Sequence, residues 1–287
     1  MRQGFAIGAG IITAGILLEW CVGQVIWNAF TWPANIIVLL VFLAIIIGIY
    51  LLRGKVYAFR YLGTYQAAIP AMVYAVVLTI IMGLTRQTVN GKWLNDMLSF
   101  WPFVLIYVYI AVILGLIVIR RISHFHLTLK DIRFLLFHLG LFITITTATL
   151  GNADMQRLKM ITTVGEPEWR ALNQQQEVVE LPLAIDLKQF IMETYDDGSP
   201  KRFASRIEVL TKSGKRLLST VEVNKPLKVD GWKIYQYGYD QSMGVRSNTS
   251  IFELVRDPWL PVVYTGIYMM LLGGLCMLIF GTKTKKV

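Results

Sequence analysis

The sequence predicts a polytopic α-helical membrane protein of about six transmembrane helices, with an extracytoplasmic, mainly β domain between the fifth and sixth helices. Three observations lead there. The 287 residues are 55% hydrophobic and only 16% charged, too apolar for an ordinary soluble domain. Six stretches, about 5–26, 34–52, 66–84, 100–119, 132–151 and 259–281, approach the roughly 20 apolar residues needed to cross a bilayer core. Residues 152–258, between the fifth and sixth stretches, are polar and long enough for one small domain. The expected division is residues 1–151 with five helices, 152–258 as the β-rich domain, and 259–287 with the last helix and a cytoplasmic tail.

The formal net charge of +10 is not spread evenly. Residues 152–258 hold fifteen Lys/Arg and fifteen Asp/Glu, so that region is neutral and offers phosphates no basic surplus. This excludes nucleic acid as the reason for the excess. The surplus lies on the membrane portion, mostly in alternate loops, as the positive-inside bias requires.

The first span has Arg2 before it and reads as a retained helix, not a cleaved signal: the apolar run is long and carries Glu19 and Trp20. The next loop, WNAFTWP, is uncharged, and its Trp27 and Trp32 suit an interfacial aromatic belt. The second span ends at RGKVYAFR, where Arg53, Lys55 and Arg60 mark a cytoplasmic loop. The third span contains Pro70, and the loop after it has two cations and one anion, as expected outside. The fourth begins at Trp101-Pro102 and stops at Arg120-Arg121, with Lys130 and Arg133 close by. The fifth runs outward from Thr128 and Asp131, whose spacing resembles a capping box with Asp replacing Glu or Gln. The sixth returns to end in KTKK. Eleven of the thirteen Lys/Arg of the membrane portion then lie inside, with both termini cytoplasmic.

In the polar segment, Leu181, Leu183, Ile185 and Leu187 alternate as strand residues do. RIEVLTKSGKRLLSTVEV reads as a hairpin turning at Lys212 to Lys215. Gly231 to Tyr237 alternates again, with aromatic residues on one face, and Asn248 to Val255 completes the set. This domain contains no histidine, metal-ligand cluster, phosphate loop or nucleophile triad pattern. The two cysteines, Cys21 and Cys276, fall in different spans and read as buried structural residues; there is no CxxC or CxxCH.

The candidate functional residue is His138, the one histidine inside a span. An ionisable side chain in hydrocarbon is costly and marks function by default. Imidazole suits axial ligation of haem iron; a hydrogen bond to a neighbouring helix explains the residue equally well. At 1.5 Å per residue it lies about 8 Å past Arg133, in the inner half of the bilayer. His124 and His126, in SHFHL, read as solvated or interfacial, with receipt of a cytoplasmic ligand as the alternative. Glu19 reads as an intramembrane hydrogen-bonding or cavity residue, or as exposed near the interface. Trp20, Trp27, Trp32, Trp93 and Trp101 read as belt residues first and ligand platforms second.

Four segments carry a family resemblance. FLLFHLGLFITITTATLGNADMQRLKM resembles the histidine-bearing helix of the ResB (CcsB) proteins of cytochrome c biogenesis. VNKPLKVDGWKIYQYGYD is similar to a strand pair of that family's extracytoplasmic domain, RDPWLPVVYTGIYMMLLGG to the start of its last span, and WPFVLIYVYIAVILGLIVIRR to the span before the histidine helix. These cover roughly residues 100–281. The family commonly has four spans where six are counted here, so residues 1–84 depart from the pattern. The resemblance implies a haem-handling subunit of the system II cytochrome c synthase in the bacterial inner membrane. Its partner would be a ResC/CcsA-type protein bearing the WWD segment, which is not found in this chain. Apocytochrome c would be the acceptor, and a thioredoxin-like thiol reductant is a further candidate partner. Haem b would be bound transiently, with His138 as an axial ligand of the iron. Thioether formation would belong to the complex, and no catalytic side chain for it is evident in the sequence. A transporter component and a b-haem anchor of a respiratory complex are the alternatives. The first lacks visible paired repeats, and the second lacks a second histidine in a span.

Overall fold

The computed structural model describes residues 1–88, 91–197 and 199–280. The chain divides into two compact units: Met1–Ala153 with the segment from Trp259 onward, and Asp154–Pro258.

The first unit is helical, with α1 (Arg2–Val22), α2 (Ala34–Leu52), α3 (Tyr57–Leu62), α4 (Tyr65–Leu84), α5 (Trp101–Ser123), α6 (Leu129–Gly151) and α7 (Leu260–Ile279). Six of these are long and apolar enough to cross a membrane, all except α3. Short α3 lies in a stretch read from sequence as part of a basic loop. Helix α5 runs past the expected end at 119 to Ser123, placing Arg120 and Arg121 in its last turn, where cations complement the helix dipole. The KTKK tail lies outside the described residues.

Helices α6 and α7 pack backbone to backbone. A Cβ on Gly140 would come 2.6 Å from the Gly266 carbonyl oxygen, and one on Gly273 would come 2.6 Å from the Phe137 nitrogen. Small residues permit such close approach between apolar helices, where van der Waals contact is the main attraction. On the other side of α6, Phe142 joins Ile46 and Tyr50 of α2 and Leu114 and Leu116 of α5 in one buried cluster. Phe42 and Phe142 stack there, with centroids 6.4 Å apart and planes at 8°.

In this unit one open reading is decided and one expectation changes. Glu19 is buried, 8% exposed, and its Oε2 accepts from the Trp101 backbone N–H at 3.2 Å. It therefore caps the start of α5, where free N–H groups and the helix dipole favour an anion. Cys21, expected to be buried, is exposed on α1.

The second unit is one antiparallel sheet in the order β5-β4-β3-β2-β1-β8-β7-β6. Its strands are β1 (Gln156–Thr163), β2 (Glu168–Leu172), β3 (Val178–Thr194), β4 (Pro200–Thr211), β5 (Arg216–Glu222), β6 (Leu227–Val229), β7 (Trp232–Tyr239) and β8 (Thr249–Arg256). The alternation at Leu181, Leu183, Ile185 and Leu187 is the buried face of β3, packed with Ile207, Val209, Ile234, Phe252 and Leu254. The first and last strands, β1 and β8, pair along their whole length, from Gln156↔Arg256 to Thr163↔Thr249. Strands β6 and β7 join through Asp230 and Gly231, both at positive φ, the backbone of a two-residue hairpin turn. The aromatics of β7 do not share a face: Trp232 turns into the core, while Tyr237 is exposed, with Lys159 Nζ 4.0 Å over its ring.

Ion pairs lace the outer face of this sheet. Arg202 meets Glu222 at 2.6 Å and Glu193 at 2.7 Å. Arg202, and then Lys225, hold the Glu222 carboxyl below its usual range; Arg170 does the same for Glu168.

Two outcomes follow from these contacts. Gly266→Leu should destabilise the helical unit by about 1–3 kcal/mol through overpacking. Gly274→Leu should not, because a Cβ there meets nothing within 4 Å; thermal unfolding in detergent compares the two. The lowered carboxyl pKa values mean that their stabilisation is present above the unfolded value near about 4.3. It is lost as pH falls through the folded values. The midpoint of the β unit should therefore drop on acidification below that pH, and Arg202→Gln should shrink the drop.

Candidate functional site

Helix α6 is fixed at its start by a polar cluster. The Thr128 Oγ1 accepts from the Asp131 backbone N–H at 3.2 Å, and the Thr128 hydroxyl donates to Asp131 Oδ2 at 2.9 Å. In a capping box the acidic side chain reaches back to the N–H of the cap residue. Asp131 instead accepts from the backbone N–H of His126, at 3.2 Å. Its other oxygen meets Arg121 Nη2 at 2.5 Å, tying the end of α5 to the start of α6. Asp131 is 5% exposed, and a carboxylate so enclosed requires this set of partners.

His138 lies two turns further along. Its Nδ1 is 3.0 Å from the Phe134 carbonyl oxygen. A carbonyl only accepts, so Nδ1 carries a hydrogen, and Nε2 is the ring nitrogen left to meet a ligand. Phe134 stacks on the imidazole at 4.0 Å and 17°, and Phe137 meets it edge-on at 5.5 Å and 70°. The Arg121 guanidinium lies 4.9 Å from the Phe134 ring centre. The line Asp131, Arg121, Phe134, His138 thus connects the helix start to the ring. His138 is half-buried. By helical spacing it shares the face of Leu141, Phe142 and Ile145 that α6 turns toward α2 and α5.

A cavity of about 780 Å³ opens beside this line, where α2 and α5 end and α6 begins. Tyr50, Arg53, Phe59, Arg60, Arg120, Arg121, His124 and Phe134 contribute to its wall. His138 does not line it, but Phe134 touches both. A second, apolar cavity of about 570 Å³ is lined by Trp27, Phe42, Trp101, Tyr107 and Ile145 among others; His138 does not line that one either.

The three histidines do not form one site. His124 is exposed, lines the first cavity and places Nδ1 3.1 Å from the Arg120 carbonyl oxygen. His126 is exposed and contributes its backbone N–H to Asp131. No group of three or more His, Cys, Asp or Glu suited to a metal ion occurs among the described residues. Of the tryptophans, Trp27 donates to the Leu98 carbonyl and Trp101 to that of Gly23, while Trp20, Trp32 and Trp93 are exposed. The ring partners Phe134 and Phe137 and the Asp131–Arg121 pair were not singled out from sequence as site residues. Their signals were the i−4 and i−1 positions beside His138 and the acid three residues after the cap.

The chemistry of this donor fits a haem iron: an imidazole anchored through Nδ1, with Nε2 as the remaining nitrogen. Asp131→Ala should cost about 1–2 kcal/mol at the start of α6 by removing the acceptor of the His126 N–H and the Thr128 hydroxyl and an ion-pair partner. Faster hydrogen exchange across residues 126–134 would report it, with partial recovery in Asp131→Asn.

Comparison with known proteins bears on the same segment. The model of the ResB-like family matches residues 128–252, beginning at the Thr128 cap. A cytochrome c biogenesis protein CcsB of Prochlorococcus marinus subsp. pastoris is 28% identical over 136 residues, 47% of this chain and 31% of that protein. A second CcsB, from Prochlorococcus marinus strain MIT 9301, is 25% identical over 153 residues, 53% of this chain and 33% of that protein. The chain thus spans about a third of the length of these relatives. Among solved structures, the cytochrome c haem lyase CcmF aligns with a TM-score of 0.38 and 15% identity, over 86% of this chain and 45% of that one. The similarity to ResB/CcsB proteins thus lies in the segment that runs from the histidine helix into the β unit.

Proposed function

We propose that this chain is the haem-handling subunit of a system II cytochrome c synthase, helping to move haem across the membrane and present it to apocytochrome c. One observation carries the reading: within the family-matched segment, a membrane helix holds an imidazole by Nδ1 and leaves Nε2 as the available donor. The relatives are themselves named cytochrome c biogenesis proteins.

Each residue near the ring has a part in this reading. His138 Nε2 offers one axial position, and Phe134 and Phe137 restrict the ring on its face and edge. The Phe134 carbonyl accepts the Nδ1 hydrogen bond, which orients the ring and leaves Nε2 as the nitrogen to meet iron. Asp131 and Arg121 set the start of α6 and hence the direction in which His138 points. Bound haem supplies the iron and the vinyl groups to which cysteine thiols add. A ResC/CcsA-type partner with a WWD segment would supply a further donor, and haem b would be held transiently between the two chains.

In this reading both termini and the Arg-rich loops lie on the cytoplasmic side of the bacterial inner membrane, an orientation supported by the positive-inside bias of the loops. The β unit is then extracytoplasmic, where it shields the outer side of the complex or positions the CxxCH segment of apocytochrome c. Covalent attachment belongs to the assembled complex, with a thioredoxin-like reductant keeping the acceptor thiols reduced.

The test is an absorbance spectrum of the chain purified with its WWD-bearing partner. Wild type should show a low-spin b-type signal, and His138→Ala should lose it or convert it to high spin. An unchanged spectrum in the variant would remove His138 from the site.

A further inference from the structure

The cavity at the basic end of the helical unit has features that a single haem ligand does not explain. Four guanidinium groups, Arg53, Arg60, Arg120 and Arg121, line it, and no carboxylate does. Asp131 engages Arg121 from outside the lining, yet the Arg121 Nε is buried and makes no hydrogen bond. A buried donor without an acceptor is costly, and like charges gathered around one volume repel. An anion in the cavity relieves that repulsion.

The rest of the wall narrows the class of anion. Phe59, Leu116 and Ile117 give the cavity an apolar side. Next to its arginines in the chain, Leu52 at the end of α2 is 46% exposed and Ile122 in the last turn of α5 is 52% exposed. Both belong to apolar stretches of spanning length. A charged head bound by guanidinium forks, with an apolar body continuing along the helices, matches this arrangement. Guanidinium groups bind phosphate oxygens in bidentate fashion, and basic pockets between helices at a membrane surface receive lipid headgroups.

We propose that this cavity binds the phosphate headgroup of an anionic phospholipid from the leaflet at that end, its acyl chains lying along α2 and α5. The site does not rest on the haem reading: Arg121 and Phe134 border both, but the test varies only Arg60 and Arg120, which have no part in positioning His138.

The test uses the full chain in phosphatidylcholine nanodiscs, with phosphatidylglycerol as the probe. Native mass spectrometry of the wild type should show phosphatidylglycerol retained in preference to phosphatidylcholine at equal abundance. Arg60→Gln with Arg120→Gln should weaken that retention about tenfold or more. Lys55→Gln with Lys130→Gln, at the same end but outside the cavity lining, should leave it near wild type. Helicity by circular dichroism checks that both double variants fold; if the arginine pair does not, the preference in the wild type still decides. Equal retention of the two lipids in the wild type overturns the proposal, as does equal weakening in both double variants. Inorganic phosphate protecting the protein as well as phosphatidylglycerol does, with the same dependence on the arginines, would assign the site to a soluble anion. Loss of haemin binding in the arginine variant with lipid preference intact would assign the guanidiniums to porphyrin carboxylates. Either of these results also overturns the proposal.

Discussion

The contact between Arg121 and Asp131 sets the geometry of the helix on which the site depends. It joins the last turn of α5 to the first turn of α6 across a short loop, and Asp131 is nearly inaccessible. An enclosed carboxylate tolerates few alternative arrangements, because every displacement leaves a charge without a partner. The pair therefore fixes where α6 begins and its rotational phase. A helix turns about 100° per residue, so a shift of one position would swing His138 from the α2 and α5 side toward a different neighbour.

The same end of the helical unit concentrates charge that the rest of it avoids. Arg53, Arg60, Arg120 and Arg121 surround one cavity, and the Arg53 guanidinium lies 3.5 Å over the Tyr50 ring. In sequence these cations read only as markers of membrane orientation. In three dimensions they converge, because α2, α3 and α5 bring separate loops to one place. A topological signal and a binding surface are thus written in the same residues. The convergence itself could not be read from the chain, since it depends on which helices are neighbours.

What was legible in the sequence followed from periodicity and length. The long apolar helices stood out because nothing else in a protein needs about 20 uninterrupted apolar residues. The alternation of Leu181 to Leu187 located β3 because one face of that strand is fully buried. Strands β1 and β2 were not anticipated. Yet β1 has the same alternation, with Leu158, Met160 and Thr162 inward, obscured by its position directly after a span. The Asp230-Gly231 pair was the local cue for the β6–β7 turn. At the site, His138 was visible as an ionisable residue in an apolar run. Its Nδ1 hydrogen bond was not, because that depends on the Phe134 carbonyl one turn away. Glu19 could be read either as exposed or as an intramembrane partner. Its role at the start of α5 needed the packing of α1 against that helix.

Helix α6 is held from two sides before any ligand arrives. Its glycine face meets α7 at backbone distance, and its Phe142 face is locked between α2 and α5. A helix clamped in this way has little freedom to rotate, so the packing sets which side of α6 carries His138. Preorganisation of this kind lowers the ordering cost of binding. Under the proposed function it also limits what this chain can do alone. The sequence has three histidines, and His138 is the one within a span. Binding would then draw on a further donor from a partner, and haem would be released if that donor moved away. A carrier that must surrender its cargo is better served by one fixed ligand and one removable ligand than by two fixed ones.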